Sequence, residues 1–275
     1  MSVSRLGDRI AAIVAAVVIG AGLLFLIAPL VITFVMAFDA RNYLGPLPPP
    51  GFSLHWFTKL FRQDEVASSL ETSLILASAT TLITALVGVS AAVALAKAQF
   101  RGADLLQSAF LSPLVVPPVV IGFGLLIFLS QIGVVHGMAR LLVGHLIISL
   151  PYAIRASLAS LIGFNATLPE AAMVLGATAR QAFWSVTLPL IRTGIITGAI
   201  FTFAISMDDV SVSLFLSGPD ATTLPVTLIS NMRASFDLTI AAAAVLLMAA
   251  TIALILLLDR AVGFDRVIGQ GLFRT

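Results

Sequence analysis

The chain has 275 residues, of which 59% are hydrophobic and 10% are charged. A soluble domain carries about 25% charged residues, so this composition and a mean hydropathy of +1.10 exclude an ordinary soluble protein and indicate a membrane protein. The formal charge of +2 comes from singly scattered basic residues, and the chain has no cysteine, which excludes disulfides, thiolate metal sites and cysteine nucleophiles.

Six stretches have about the 20 mostly apolar residues that a membrane helix needs. The first, residues 10–38, exceeds the roughly 7–15 apolar residues of a cleaved signal peptide, so we interpret it as an uncleaved anchor. The others are residues 66–96, 105–130, 139–162, 190–216 and 236–258.

Prolines modify this pattern in three places. Pro113, Pro117 and Pro118 are expected to kink the third span, and Pro151 the fourth, which lipid tolerates only where neighbouring helices satisfy the freed carbonyls. A proline cluster within residues 41–52 is incompatible with a helix, whereas residues 53–61 could form a short amphipathic helix on the membrane surface.

The basic residues predict the orientation, because six spans place both termini on one side. Ten Lys and Arg residues fall on the side of the termini: Arg5, Arg9, Lys97, Arg101, Arg155, Arg180, Arg192, Arg260, Arg266 and Arg274. Five fall opposite: Arg41, Lys59, Arg62, Arg140 and Arg233. Since loops rich in Lys and Arg stay inside, both termini are expected in the cytoplasm.

The loop between the fourth and fifth spans, residues 163–189, is long and contains residues typical of helix starts, bends and ends. Thr167, Pro169 and Glu170 are typical of a helix start with a capping box. Gly176 then lets the chain bend or approach another surface, and residues 177–184 predict a second helix that ends at residues 188–190. A simple helix connection needs only about 2–8 residues, so we expect a docking surface.

This loop resembles the EAA loop of the permeases of binding-protein-dependent ABC importers. The matching residues are Glu170, Ala171, Ala172, Gly176, Leu188 and Pro189, with Val186 where the pattern has isoleucine. The resemblance implies that the loop forms a coupling helix that sits in a cleft of an ATPase subunit, and that these six residues contribute to the coupling.

The resemblance extends over roughly residues 66–258, and residues 203–226 are similar to the polyamine (spermidine/putrescine-type) branch. It implies an all-α integral membrane protein with six spans and a cytoplasmic coupling loop between spans four and five. The implied domains are an N-terminal anchor and external loop (1–65), the permease domain (66–260) and a cytoplasmic tail (261–275).

The same resemblance implies the setting and the partners. The chain would lie in a bacterial inner membrane with an ATP-binding subunit dimer, a second homologous permease, a soluble or periplasmic substrate-binding protein and a small cationic substrate. ATP and Mg would bind the partner ATPase, and this chain would bind no cofactor. Accordingly, the chain has no G-x-x-x-x-G-K-S/T loop.

Other functions remain as alternatives. An ion-coupled secondary transporter usually has two related halves, and no repeat is visible here. An intramembrane enzyme would depend on His145 or Ser149, which we interpret as ordinary core residues. His55, His136 and His145 show no metal-ligand spacing. An importer permease for an amino acid, a phosphonate or another small solute also fits.

Two features of the fifth span stand out. Asp208 and Asp209 are costly inside a membrane, and adjacent residues point about 100° apart on a helix. We therefore expect one to line the substrate path and the other to hold the helix, although pairing with Arg233 or capping a helix end would also explain them. Gly194 and Gly198 predict close helix packing, for which a second permease chain is one candidate partner.

Overall fold

The computed structural model describes residues 2–96, 102–162, 167–234 and 237–262. These residues form helices and loops, with two isolated β-bridges as their only extended pairing. The predicted C-terminal tail, 261–275, lies outside the described residues from residue 263 onward, as does residue 236 at the start of the last predicted span.

The helices are named in chain order. They are α1 (Ser2–Ala37), α2 (His55–Phe61), α3 (Asp64–Ala96), α4 (Ala103–Leu111), α5 (Pro118–Gln131), α6 (Gly137–Ile162), α7 (Thr167–Val174), α8 (Ala179–Ala182), α9 (Leu188–Asp208), α10 (Ser213–Leu216), α11 (Leu224–Ala234) and α12 (Thr239–Val262). A 3₁₀ turn follows α4 (Ser112–Leu114), and a π-helical turn joins α8 to α9 (Phe183–Thr187).

Five described helical stretches are long and apolar enough to cross a membrane. They are Ala11–Ala37, Asp64–Ala96, Gly137–Leu161, Ala179–Asp208 and Thr239–Leu257. The proline-rich third segment is bent by 101° between Ala103–Leu114 and Pro118–Gln131, so it counts as a sixth span only if the bent pair crosses as one. The bend confirms the kink expected from its prolines.

Two expectations about the fifth span were wrong. The second helix of the loop does not end at residues 188–190 but runs on into the fifth span. The π-helical turn before Pro189 changes the hydrogen-bond register and accommodates the missing N–H of Pro189. Nor does the span reach residue 216. It ends at Asp208, and the chain is extended at Asp209 (φ −67°, ψ 125°) before the short helix α10.

The chain divides into two compact units. One unit comprises Met1–Gln63 and Asn231–Ala249. In it, Trp56 of α2 is buried and its indole N–H donates to the carbonyl of Asp39 at 2.9 Å. Lys59 forms an ion pair with Asp237 at 2.6 Å. These contacts confirm a short helix within residues 53–61.

Carboxylates in the same unit are held by neighbouring donors. The side-chain hydrogen bonds from Arg41 hold the pKa of Asp39 below its usual value, although burial of Asp39 opposes this. Burial raises the pKa of Asp237, but hydrogen bonds from Lys59 and Thr239 outweigh it and leave that pKa lowered. Both carboxylates are therefore ionised at neutral pH and fix the loops that they join.

The other unit comprises Asp64–Ser230 and Ala250–Thr275, and α3, α6 and α9 pack against one another in it. Its glycines allow close approach: a Cβ on Gly194 would lie 2.5 Å from the carbonyl oxygen of Ala156, and one on Gly198 would lie 3.1 Å from the Cα of Ala153. The Gly194 and Gly198 face therefore packs on α6 of the same chain, which corrects the suggested contact with a second chain.

Close packing at Gly194 can be tested with one methyl group. Gly194→Ala should lower the free energy of unfolding by about 1–3 kcal/mol through overpacking, because the Ala156 carbonyl is backbone and cannot turn away. Gly124→Ala is the matched control, since nothing lies within 4 Å of its added Cβ. The measurement is the thermal unfolding midpoint of each purified variant in detergent. Equal midpoints would contradict the packing described.

Candidate functional site

The loop after α6 contains a helix end built around Gly176. The N–H of Gly176 donates to the carbonyl of Met173, and the N–H of Ala177 donates to that of Ala172, both at 3.0 Å. This is the Schellman pattern, which requires a left-handed residue at the position of Gly176. Its φ is +96°, and an added Cβ would meet nothing within 4 Å. Within this chain, Gly176 therefore provides the bend after α7.

A second helix begins directly after this bend. The Thr178 hydroxyl accepts from the N–H of Gln181 at 3.3 Å, and the Thr178 N–H donates to the Gln181 side-chain oxygen at 2.8 Å. This capping box was missed, although its Thr-x-x-Gln signal is present in the sequence. Helix α7 begins at Thr167, where the sequence predicts a helix start, with Glu170 in its first turn; residues 163–166 before it lie outside the described residues.

The predicted coupling residues lie on both sides of the bend. Glu170 is exposed in the first turn of α7, followed by exposed Ala171 and half-buried Ala172. Leu188 and Pro189 lie in the first turn of α9. Helix α7 packs against α8 and the π-helical turn, so these elements form one compact loop.

The tip of this loop is apolar and uncovered. Val174 and Leu175 are each 88% exposed, and Trp184 is 59% exposed. Exposed apolar residues clustered on one segment are typical of an interaction surface. This feature agrees with the docking surface expected from the sequence.

A cavity of about 530 Å³ lies at the end of α9. Asp208 and Asp209 line it, together with Tyr152 of α6 and Thr251 of α12. The remaining walls are mostly apolar and come from the bent proline segment, from α6 and α9, and from the turn after α9: Pro113, Leu114, Val116, Pro118, Ile148, Ala204, Ile205, Val210 and Ser211. The described lining contains two acidic residues and no Lys, Arg or His.

The two aspartates have different surroundings. Asp208 is the last residue of α9 and is exposed. The Asp209 carboxylate accepts from the N–H groups of Val212 at 3.1 Å and Ser213 at 2.8 Å, and from the Ser213 hydroxyl at 3.0 Å. Asp209 is thus the one held by hydrogen bonds, and it caps the turn into α10. A path role for Asp208 stays a prediction.

A buried histidine, not chosen from the sequence as a site residue, lies behind Asp209. His145 is 0% exposed; its Nδ1 lies 2.7 Å from the Ser206 hydroxyl and its Nε2 lies 2.9 Å from the Ser213 hydroxyl. Nε2 also lies 3.8 Å from an Asp209 carboxylate oxygen. His145 has no acidic neighbour in sequence, so no local pattern could have revealed this cluster.

No metal site was identified in the described part of the chain. None of its His, Asp and Glu side chains form a group of three or more that could hold an ion.

A comparison with known families identifies the group of proteins to which the chain belongs. Residues 84–265 match the model of the binding-protein-dependent transport system inner membrane component family. The chain belongs to this family. It is therefore a permease subunit of an ABC importer, a transport component whose ATP hydrolysis resides on a separate subunit, and it is a multi-pass membrane protein.

Curated relatives cover most of the chain. The putrescine transport system permease protein PotI of Escherichia coli is 31% identical over 236 residues, 83% of each chain. The spermidine/putrescine transport system permease protein PotC of Shigella flexneri is 27% identical over 90% of this chain and 92% of its own. The molybdate/tungstate permease WtpB of Pyrococcus abyssi is 28% identical over 67% of this chain and 74% of its own. Family membership therefore does not by itself decide the cargo.

Solved structures confirm the fold of the permease. A chain of a bacterial alginate ABC transporter superposes with a TM-score of 0.72 at 18% identity, covering 92% of this chain and 93% of that one. A chain of an amino acid ABC transporter gives 0.58 at 18% identity, covering 75% and 97%. At these identities the likeness establishes an ABC permease fold.

The Gly176 bend generates a test of the loop. Gly176→Val should reduce ATP-driven uptake by the assembled importer, because a β-branched residue is a strong outlier at φ +96°. Gly176→Asn is the matched control, since Asn tolerates the left-handed region, and it should retain more uptake. The comparison requires equal amounts of each variant in the membrane. Uptake by Gly176→Val at the wild-type rate would contradict a role for the bend.

Proposed function

We propose that the cargo of this permease is a polyamine or another small organic cation. The observation that carries the proposal is the cavity at the end of α9, where Asp208 and Asp209 face a space of about 530 Å³. Its described lining has no basic side chain to neutralise them.

Electrostatics favours a cation in such a cavity. Charges interact more strongly in a partly apolar, low-dielectric cleft than in water, so two carboxylates attract ammonium groups and repel anions. The Tyr152 ring is a further surface on which a cation can rest. The volume lies within the roughly 300–1,000 Å³ typical of small-molecule sites.

The names of the relatives support the same cargo. PotI is named as a permease for putrescine and PotC as one for spermidine and putrescine, and both align over more than four fifths of the chain. Both solutes are chains of amines that are protonated at neutral pH, which suits a carboxylate-lined cavity. The anionic cargo named for WtpB does not.

The proposed assembly has four kinds of component. This chain forms the path with a second homologous permease, an ATP-binding subunit dimer drives it, and a substrate-binding protein delivers the cargo. The loop formed by α7, α8 and the π-helical turn docks on the ATPase through its uncovered apolar tip, Val174, Leu175 and Trp184. The proposed domains are the anchor and external loop (1–65), the permease domain (66–260) and the tail (261–275).

The proposed topology has six spans, with the bent pair Ala103–Leu114 and Pro118–Gln131 crossing as one. Both termini face the cytoplasm of a bacterial cell with the chain in its inner membrane. The bias of ten basic residues against five supports this orientation. It places the EAA loop inside the cell and the loops that carry Tyr43 and Pro219 outside.

Cysteine labelling tests the topology directly, because the native chain has no cysteine. Tyr43→Cys and Pro219→Cys should react in intact cells with a membrane-impermeant maleimide, since both residues are exposed. Val174→Cys should react only after the membrane is opened. Labelling of Val174→Cys from outside intact cells would reverse the orientation.

Charge removal tests the cargo. Asp208→Asn should lower ATP-driven uptake of labelled putrescine about tenfold or more, because an interaction with a charged group contributes about 1.5–3 kcal/mol. Asp209→Asn should also lower uptake, since it weakens the turn into α10 as well. Asp104→Asn, an exposed acidic residue in the first turn of α4, is the control. Normal uptake by both cavity variants in an assembled complex would refute the cationic cavity.

A further inference from the structure

His145 joins two helices across a break in the backbone. It lies on α6, and its ring contacts Ser206 near the end of α9 and Ser213 at the start of α10. Between these two serines the chain leaves the helix at Asp208 and becomes extended at Asp209. The imidazole therefore connects both sides of the break to a third helix.

The direction of each hydrogen bond in this cluster follows from its last acceptor, the Asp209 carboxylate. An ionised carboxylate only accepts, so the Ser213 hydroxyl donates to Asp209. The same hydroxyl oxygen then accepts from His145, which places the proton of a neutral ring on Nε2. Nδ1 is left as an acceptor for the Ser206 hydroxyl. The result is one directed chain from Ser206 through His145 and Ser213 to Asp209.

Two kinds of contact hold the Asp209 carboxylate. The N–H groups of Val212 and Ser213 belong to its own turn, so they fix the carboxylate within the turn. The described hydrogen bonds that tie this turn to α6 run through His145. Because His145 is not part of the cavity lining, its influence on cargo has to pass through Ser213 and Asp209.

We propose that His145 is a positioning residue that holds the Asp209 carboxylate at the cavity wall through Ser213. This inference rests on the proposed function, in which the Asp209 carboxylate attracts a cationic cargo. The role needs a hydrogen-bond donor at the Nε2 position. It does not require a charged imidazole.

Substitution of His145 by Gln or by Asn tests the two ring nitrogens separately. The side-chain nitrogen of Gln can reach the place of His Nε2 and donate to Ser213, whereas Asn reaches only the place of Nδ1. The probe is labelled putrescine, with uptake and ATP hydrolysis measured on the same proteoliposomes that contain the whole importer. The quantity compared is putrescine moved per ATP hydrolysed.

His145→Asn and Ser213→Ala should lower this ratio several-fold, because a loosely held carboxylate guides the cation poorly while the ATPase still turns over. His145→Gln should recover most of the loss. A histidine that only fills space would give equal effects for Asn and Gln, with uptake and hydrolysis falling in proportion. That result, or an unchanged ratio in both His145→Asn and Ser213→Ala, overturns the positioning role.

A double-mutant cycle shows whether His145 acts through Asp209. In an Asp209→Asn background, His145→Asn should cause no further loss, since the effects of coupled residues do not add. Additive losses would overturn the inference. If Asp209→Asn alone transports normally, this inference fails, whereas the cationic cavity fails only if Asp208→Asn also transports normally. If Asp209→Asn is impaired and His145→Asn and Ser213→Ala are not, only the positioning role fails. Ser213→Ala decides the question if His145→Asn does not assemble.

Discussion

A helix that stops leaves backbone N–H groups that need acceptors, because an unpaired buried N–H costs free energy. The break after Asp208 has to meet this requirement. Here the Asp209 carboxylate accepts from the freed N–H groups of Val212 and Ser213. The Asp209 carboxylate, which accepts these hydrogen bonds after the break, thus also lies on the cavity wall. The turn into α10 and the proposed cation site therefore depend on one residue.

The two candidate sites lie at opposite ends of one helical run. From the capping box at Thr178, the helix continues through the π-helical turn and Pro189 to Asp208 without a described break. A displacement at the loop can therefore be carried along α9, whose glycines lie tight against α6. His145 of α6 also contacts Asp209, since its Nε2 lies 3.8 Å from an Asp209 carboxylate oxygen. In the proposed assembly, this continuity is a physical route by which docking of the ATPase on the loop would alter the cavity.

The sequence predicted the features that depend on composition and local pattern. Apolar runs located the long helices, prolines located the 101° bend, and the EAA pattern indicated the family. Both ends of the fifth span were misplaced. At its start, the π-helical turn accommodates Pro189 within one continuous helix. At its end, residues 209–216 are as apolar as a span, but the backbone turns at Asp209. The cluster around His145 was out of reach, since its partners lie 61 and 68 residues away. Such contacts arise from packing of α6, α9 and α10 rather than from any local signal.

The central claim, a carboxylate-lined path for organic cations, is tested most directly by the selectivity of the wild-type importer. The measurement is ATP-driven uptake into proteoliposomes of labelled putrescine and, in parallel, of labelled molybdate. The account predicts that putrescine accumulates, that unlabelled spermidine competes with it, and that molybdate stays outside. Accumulation of molybdate without putrescine would contradict the account.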